Sequence, residues 1–272
     1  MAPAAAGHTW SVPRPSSSYR ELPPPPALAP YVFCLWVQTI GAGDGAYEQP
    51  VLPDGCADIV STDRGLTVVG PATTAVTESF APGSVIVGVR FRTGAAPPLL
   101  GVIANELLDR EVGLADVWGR SGTRLAERCA DAPGDAEGHE RLRAVVGTLL
   151  DRLADAPAVD PVATRTASML AAPAAPPVRD LACRFDLSER QLRRRVEAAV
   201  GYPPRTLARI LRFQRFLGAA RASGPRGPDL AGLAVEAGYA DQAHLTRDSR
   251  RLAGIPPRAL LDWEARRAAR AA

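Results

Sequence analysis

The chain has 272 residues, room for one large domain or two of ordinary size, and its 46% hydrophobic content suits a protein with a buried core. Its four cysteines, Cys34, Cys56, Cys129 and Cys183, show no CxxC pair and no paired spacing. The net charge of +3 hides a division: residues 1–177 carry 13 Arg against 19 acidic residues, a net of −6, while residues 178–272 carry 19 Arg against 10, a net of +9. Such asymmetry marks a basic module that meets a polyanion. There is no lysine, in keeping with codon bias. Every basic contact is therefore made by a guanidinium, which can grip phosphate or guanine with two hydrogen bonds.

Residues 1–30 are rich in Pro, Ala and Ser, with "PPPP" at 23–26. They read as a flexible arm ending in a stiff polyproline II stretch. "MAPAAAGHTW" has no basic start and no apolar run, and no stretch reaches the ~20 apolar residues of a membrane span. The expectation is a cytoplasmic protein with reduced thiols and no membrane partner. From residue 31 to about 100 the texture is that of strands: "YVFCLWVQ" (31–38), "CADIVS" (56–61), "LTVVG" (66–70) and "SVIVGVRF" (84–91), separated by Pro and Gly clusters. This spacing predicts a small antiparallel barrel or sandwich. "PLLGVIANELLDREVGLADVWG" reads as helices broken near Gly113. "HERLRAVVGTLLDRLADA" (139–156) places Leu142, Val145, Val146, Leu149, Leu150 and Leu153 at helical spacing, and residues 137–156 are read as a bridging or pairing helix. "APAVDP" (156–161) reads as a linker, and the rest as helices.

The C-terminal hundred residues repeat themselves. Leu181 and Ala182 recur as Leu233 and Ala234 at an offset of 52. Leu192, Arg194, Gly201, Pro203, Pro204, Arg205 and Leu207 recur as Leu245, Arg247, Gly254, Pro256, Pro257, Arg258 and Leu260 at an offset of 53. One residue has been added in the turn between the halves. Each copy has the layout of a helix-turn-helix, whose second helix enters the major groove of DNA. In the first, Leu181, Ala182 and Phe185 form a stripe, Leu187 sits at the turn, Ser188 caps, Leu192, Val196 and Val200 face inward, and Gly201 ends the helix. In the second, Leu230, Leu233, Ala234 and Ala237 form the stripe. Gly238 and Tyr239 turn, Asp241 caps, and Leu245, Leu252 and Ile255 face inward. The outward faces carry Arg190, Arg193, Arg194 and Glu197, then Gln242, Ala243, Thr246, Arg247 and Arg250. Arg can read guanine, Gln adenine, and Ala or Thr the thymine methyl. A solvated basic face is the competing reading, and two copies of one polarity weigh against it. "PRTLARILRFQRFLGAARAS" (204–223) predicts a joining helix with Leu207, Ile210, Leu211, Phe213, Phe216 and Leu217 on its apolar face, and "GPRGPD" (224–229) breaks it. A helix of this length spans about 27 Å at ~1.5 Å per residue, close to the ~34 Å between successive major grooves.

"GYADQAHLTRDSRRLAGIPPRAL" and, less closely, "LSERQLRRRVEAAVGYPPRTL" resemble the AraC/XylS family of transcription regulators, over about residues 160–265. The resemblance implies an α+β protein: an N-terminal β barrel or sandwich with helices, then an all-α domain of two helix-turn-helix units joined by one helix. It implies a division into an arm (1–30), a sensing or assembly domain (31–157) and a DNA-binding domain (158–272). Arg190, Arg193, Arg194, Gln242, Ala243, Thr246 and Arg247 match the family's base-reading positions. Arg205 and Arg258, which follow the double prolines, are assigned to phosphate. Double-stranded DNA is the expected partner, with a small-molecule effector, RNA polymerase and a second copy of the chain as further partners. No cofactor, metal or catalytic group is expected. Family members usually carry an aromatic residue where Ser249 stands, and often one at Val196. Filling that inward site by Ser249→Phe is therefore expected to raise stability. "GIPP" replaces the commoner Gly-x-Ser-Pro. "VLPDGCADIVS", "VVGPAT" and "VGVRFRTGAAPPLLGV" resemble a domain often found ahead of such modules.

Other candidates are weaker. "PDGCAD" gathers Asp54, Cys56 and Asp58, and an Asp-Gly turn before a buried strand Cys accounts for it. A thiol-based sensor or enzyme acting through Cys56 is the alternative from another class, and a non-specific architectural protein a third. His244 reads as a phosphate contact or a solvated histidine, and Trp36 and Trp118 as core. No GxGxxG, Walker A or HExxH pattern occurs.

Overall fold

The computed structural model describes residues 17–42, 47–132, 137–223 and 229–271. The start of the arm and most of the break at 224–229 lie outside the described residues. The strands are β1 (Ser18–Leu22), β2 (Val32–Thr39), β3 (Tyr47–Val51), β4 (Asp58–Thr62), β5 (Gly65–Val69), β6 (Val76–Phe80) and β7 (Val85–Phe91). After α1 (Pro97–Leu100) come β8 (Glu111–Gly113), α2 (Leu114–Trp118), α3 (Arg120–Ala130) and α4 (His139–Leu153). The remainder is helical: α5 (Pro161–Ala171), α6 (Val178–Arg184), α7 (Glu189–Val200), α8 (Pro204–Ala222), α9 (Leu230–Glu236), α10 (Gln242–Ala253) and α11 (Pro257–Ala271). The α+β architecture is the expected one: an antiparallel sheet region followed by a helical domain.

Six strands form one antiparallel sheet in the order β1-β2-β7-β4-β5-β8, and β3 and β6 form a separate two-stranded ribbon. Side chains alternate across the pleat. On one face Leu35, Val37, Ile59, Val68, Val87 and Val89 pack against α2, α3 and α4 through Leu114, Leu125, Leu142, Val145 and Leu149. Each of these fully buried side chains contributes about 1.5–3 kcal/mol relative to exposure. On the other face Cys34, Trp36 and Ile86 meet Tyr47 and Phe80 of the ribbon. A second core fills the helical part, with α8 at its centre: Leu207, Ile210, Phe213, Phe216 and Leu217 touch residues of α5, α7, α9, α10 and α11.

Three expectations are corrected. The arm ends at Ser18: "SYREL" pairs with β2 as an edge strand, and Leu28 is fully buried. Its exposed, polar pattern hid it, because an edge strand needs little apolar surface when its neighbour supplies the hydrogen bonds. Of the tetraproline, Pro25 keeps an extended backbone, but Pro26–Leu28 turn into a 3-10 helix. The run after residue 98 yields only short α1, a 3-10 turn at Ala104–Glu106 and strand β8 before α2. Helix α4, expected to bridge or pair, turns one face inward, where Leu142, Val145 and Leu149 lie in the core beneath the sheet. The polar ribbon strands β3 and β6 went unread for the same reason as β1. None of the described helices is long and apolar enough to cross a membrane.

Candidate nucleic-acid interface

The turns of the two helix pairs are built alike, bond for bond. After α6, the backbone N–H of Asp186 donates to Cys183 O at 3.1 Å and that of Leu187 to Ala182 O at 3.0 Å. After α9, Gly238 donates to Val235 O at 2.9 Å and Tyr239 to Ala234 O at 2.8 Å. These bonds satisfy carbonyls that a helix end leaves free. Both turns need one left-handed residue, supplied by Asp186 (φ 53°) in the first and Gly238 (φ 87°) in the second. The added residue falls in the turn: four residues separate α6 from α7, and five separate α9 from α10.

Helix α7 starts in a capping box. Ser188 Oγ accepts from Gln191 N at 3.2 Å, and Gln191 Oε1 accepts from Ser188 N at 2.8 Å. Helix α10 starts on Asp241, whose Oδ1 accepts from His244 N at 2.6 Å. Gly201 and Gly254 end the two helices in left-handed conformation. The inward residues Leu192, Val196, Val200, Leu245 and Leu252 are buried, while Ile255 is half-buried.

Arg190, Arg193 and Arg194 are exposed on α7, as are Gln242, Ala243, Arg247 and Arg250 on α10, with Thr246 half-buried. Arg193 Nε donates to Glu197 Oε1 at 2.8 Å, a pair one turn apart. Thr246 Oγ1 donates to Gln242 O at 2.8 Å. The guanidinium groups of Arg190, Arg194, Arg247 and Arg250 make no hydrogen bond or ion pair with other described residues. Arg205 and Arg258 are exposed in the first turns of α8 and α11, where helix N-termini favour anions.

Two charged anchors escaped the sequence reading. Arg195, the last of an "RRR" run that looks uniformly solvated, grips Asp160 with two bonds of 2.8 Å each. Asp160 also caps α5, accepting from Val162 N at 2.8 Å and Ala163 N at 3.3 Å. Partial burial would raise this carboxyl, but Arg195 and the two N–H groups outweigh it and hold it below the usual range. The second anchor is Asp248, 7% exposed on an otherwise basic helix. Arg212 Nη2 donates to its Oδ2 at 3.2 Å, Arg209 Nε lies 3.4 Å from Oδ1, and His244 Nε2 lies 3.8 Å from Oδ2. Arg212 also stands over the Tyr239 ring at 4.7 Å, and His244 meets that ring edge-on at 5.1 Å. His244 is therefore part of the joint between α10 and α8, not a freely solvated side chain.

Ser249 is inward, as its register predicts, but its site is closed. It is 0% exposed and its Oγ donates to Ile255 O at 2.7 Å. A phenyl ring would displace this bond inside a buried site, so the expected gain from Ser249→Phe is withdrawn.

The sheet region meets both helix pairs. Gln214 Nε2 on α8 donates to Pro53 O at 2.6 Å, and the N–H of Ala75 donates to Leu252 O, near the end of α10, at 2.7 Å. A Cβ on Gly201 would sit 2.7 Å from Pro71, and one on Gly55 would sit 3.4 Å from the Tyr202 hydroxyl. The same two loops, 51–56 and 70–76, border a cavity of about 240 Å³ between the sheet and the ribbon. Asp54, Cys56, Asp58 and Arg90 line it, with Trp36 and Tyr19. Burial, reinforced by Asp54 and Asp58, pushes the Cys56 thiol well above its usual range. A nucleophilic or sensing cysteine needs the opposite shift. Among the described residues no group of three or more His, Cys, Asp or Glu side chains could hold a metal ion.

Comparison with known proteins follows this geometry. Residues 181–262 match the model of a helix-turn-helix domain, and residues 20–113 match a domain of unknown function (DUF6597). No curated protein matches the chain. The solved structures similar to it include ToxT from Vibrio cholerae O395, at 10% identity and TM-score 0.41, covering 91% of this chain and 96% of that one. The same protein bound to (E)-4-(8-methylnaphthalen-1-yl)but-3-enoic acid is similar at 10% identity and TM-score 0.42, covering 91% and 98%. The transcriptional regulator CdpR from Pseudomonas aeruginosa is similar at 18% identity and TM-score 0.33, covering 67% and 47%. The family matches and the two helix pairs agree: this chain carries an AraC-type helix-turn-helix domain at residues 181–262, behind a domain of unknown function at residues 20–113.

Proposed function

We propose that the protein is a sequence-specific regulator in which α7 and α10 read adjacent major grooves. The helical part, residues 158–272, is the DNA-binding domain, and the preceding residues from the edge strand β1 onward form the sensing domain. The observation that carries the reading is the equivalence of the two helix pairs. Side-chain caps at both starts, the same turn bonds and the same terminating glycines present Arg194 and Arg247, both unpaired among the described residues, at matching points of two helices. Helix α8, with 19 residues, spans about 28 Å at ~1.5 Å per residue and sets the distance between them. Arg190, Gln242, Ala243 and Thr246 complete the reading faces. Arg193 has to leave Glu197 before it reaches a base. Arg205 and Arg258 hold phosphate. The sensing part is supported by the cavity whose two bordering loops bond to α8 and α10. An occupant that moves either loop alters the relation of the two reading helices.

Selection of bound sites from random DNA tests this. Arg194→Ala and Arg247→Ala should each cost ~1–3 kcal/mol and relax preference at positions about one helical turn, ~10 base pairs, apart. Arg205→Ala and Arg258→Ala should weaken binding to every sequence alike and lower the salt slope by about one each. Identical preference profiles for all four variants would remove the case for two reading helices.

A further inference from the structure

The cavity between the large sheet and the ribbon has a definite chemistry, set by strand alternation. On β2, Trp36 and Gln38 face it; on β4, Asp58 and Val60; on β7, Arg90. Gly88 stands between them because a Cβ there would lie 2.2 Å from the Trp36 ring. The indole therefore lies across the strand, and its Nε1 donates to Asp58 Oδ2 at 3.2 Å. Tyr19 on β1 brings a second ring to 6.1 Å from that of Trp36. Val51, Leu52, Val69, Val76 and Phe80 supply apolar wall.

The charges around this floor do not cancel. Arg90 donates Nε and Nη2 to the two oxygens of Asp58 at 3.2 and 3.1 Å, and its Nε lies 3.6 Å from Asp54 Oδ2. One guanidinium thus answers two carboxylates. Of the other two guanidiniums at the cavity, Arg64 pairs with Glu78 at 3.3 Å, and Arg110, which donates to the Glu106 carbonyl at 3.0 Å, is outnumbered by the lining carboxylates Asp109 and Glu111. An entering carboxylate would face net negative charge in a partly dry site and would have to compete with Asp58 for Arg90. A cation would balance the charge and lie against the faces of two aromatic rings.

We infer that the cavity takes a small organic cation, an amine or quaternary ammonium on an apolar body, with its charge against Asp54 and Asp58 and the rings of Trp36 and Tyr19. This rests on the sensing reading above and names its ligand class. The electrostatics of Asp58 agree with it. Burial, partly offset by Arg90, pushes that carboxyl up to about 6, and a second positive charge would hold it ionised. Binding of the cation should therefore tighten as pH rises through that value.

Isothermal titration of the full chain with three probes of one shape tests the inference: 2-phenylethylamine, 2-phenylethanol and phenylacetate. The amine should bind about tenfold or more tightly than the alcohol, and phenylacetate not at all. Asp54→Asn, which keeps the oxygen that accepts from the Cys56 N–H at 2.9 Å, should cut amine affinity by about fivefold or more while the folded spectrum is kept. Asp58→Asn and Trp36→Leu should do the same wherever they fold. Equal or tighter binding of phenylacetate, no binding by the amine, or amine affinity unchanged in Asp54→Asn overturns the ligand class. The sensing reading fails separately, if filling the cavity by Val60→Trp leaves affinity for the selected DNA site unchanged.

Discussion

In the first helix pair, α7 is started by a reciprocal capping box and tied to α5 by Arg195 and Asp160, which remain 39% and 28% exposed. In the second, α10 is started by the single carboxylate of Asp241 and tied to α8 by Asp248, 7% exposed between Arg209, Arg212 and His244. The repeat conserves what shapes each pair internally: the turn bonds, the inward leucines and the closing glycine. It does not conserve what holds each pair to the rest of the domain. A half-open ion pair is worth little because water and salt screen it, whereas a buried carboxylate between two guanidiniums is costly to break. The second pair is thus held by a buried charge cluster, and the first by a half-open ion pair.

The comparison breaks most sharply at the two anchors. Asp248→Ala would strand Arg209 and Arg212, both under one-third exposed, and should cost about 3–5 kcal/mol in urea denaturation. Asp160→Ala removes a helix cap and a half-open ion pair and should cost about 1–2 kcal/mol. Equal losses would mean that burial does not separate the anchors. Ser249→Phe sharpens the contrast within the second pair. The ring would overpack a closed site and displace the bond to Ile255, so a loss of about 1–3 kcal/mol is expected. A higher melting temperature would show that the site opens.

The pH response isolates the first anchor. Because the Asp160 carboxyl is held below its usual range in the folded chain, the stability it supplies is present above its unfolded value near ~4. That stability is lost as pH falls through the lower folded value. Asp160→Asn should lack this acid-side loss in a comparison of melting temperatures from pH 5 downward. Persistence of the full acid-side loss in the variant would assign it elsewhere. The smallest effect belongs to the turns. Asp186→Gly gives the first turn the residue that Gly238 supplies to the second, relieving a left-handed non-glycine backbone. It should stabilise the chain by about 0.5–1 kcal/mol with no change in the selected DNA site.

The helix pairs were legible because their determinants are local. Ser188 and Asp241 bond to N–H groups three residues on, and Gly201 and Gly254 close helices by backbone freedom alone. Leucines at helical spacing announce their own buried face. The edge strand β1 and the ribbon were not legible, because "SYREL", "YEQPV" and "VTESF" are polar runs whose hydrogen bonds depend on neighbours far away in the chain. Arg195 was hidden for a related reason. Nothing in "RRR" separates the one arginine that meets Asp160, 35 residues earlier, from the two beside it that face solvent.

Sequence alone determined two like helix pairs with basic outward faces in the C-terminal part: periodicity, caps and glycines act within a few residues, and the offset of 53 is written in the residues themselves. Only the tertiary structure decided which charges are anchors and which are free, because that depends on what other helices bring within 4 Å. It also closed the site around Ser249 and joined Trp36, Asp54, Asp58 and Arg90 in one cavity. Trp36, Asp58 and Arg90 lie on different strands and Asp54 on a loop, and only the pleat and the sheet order turn the three strand residues to the same side.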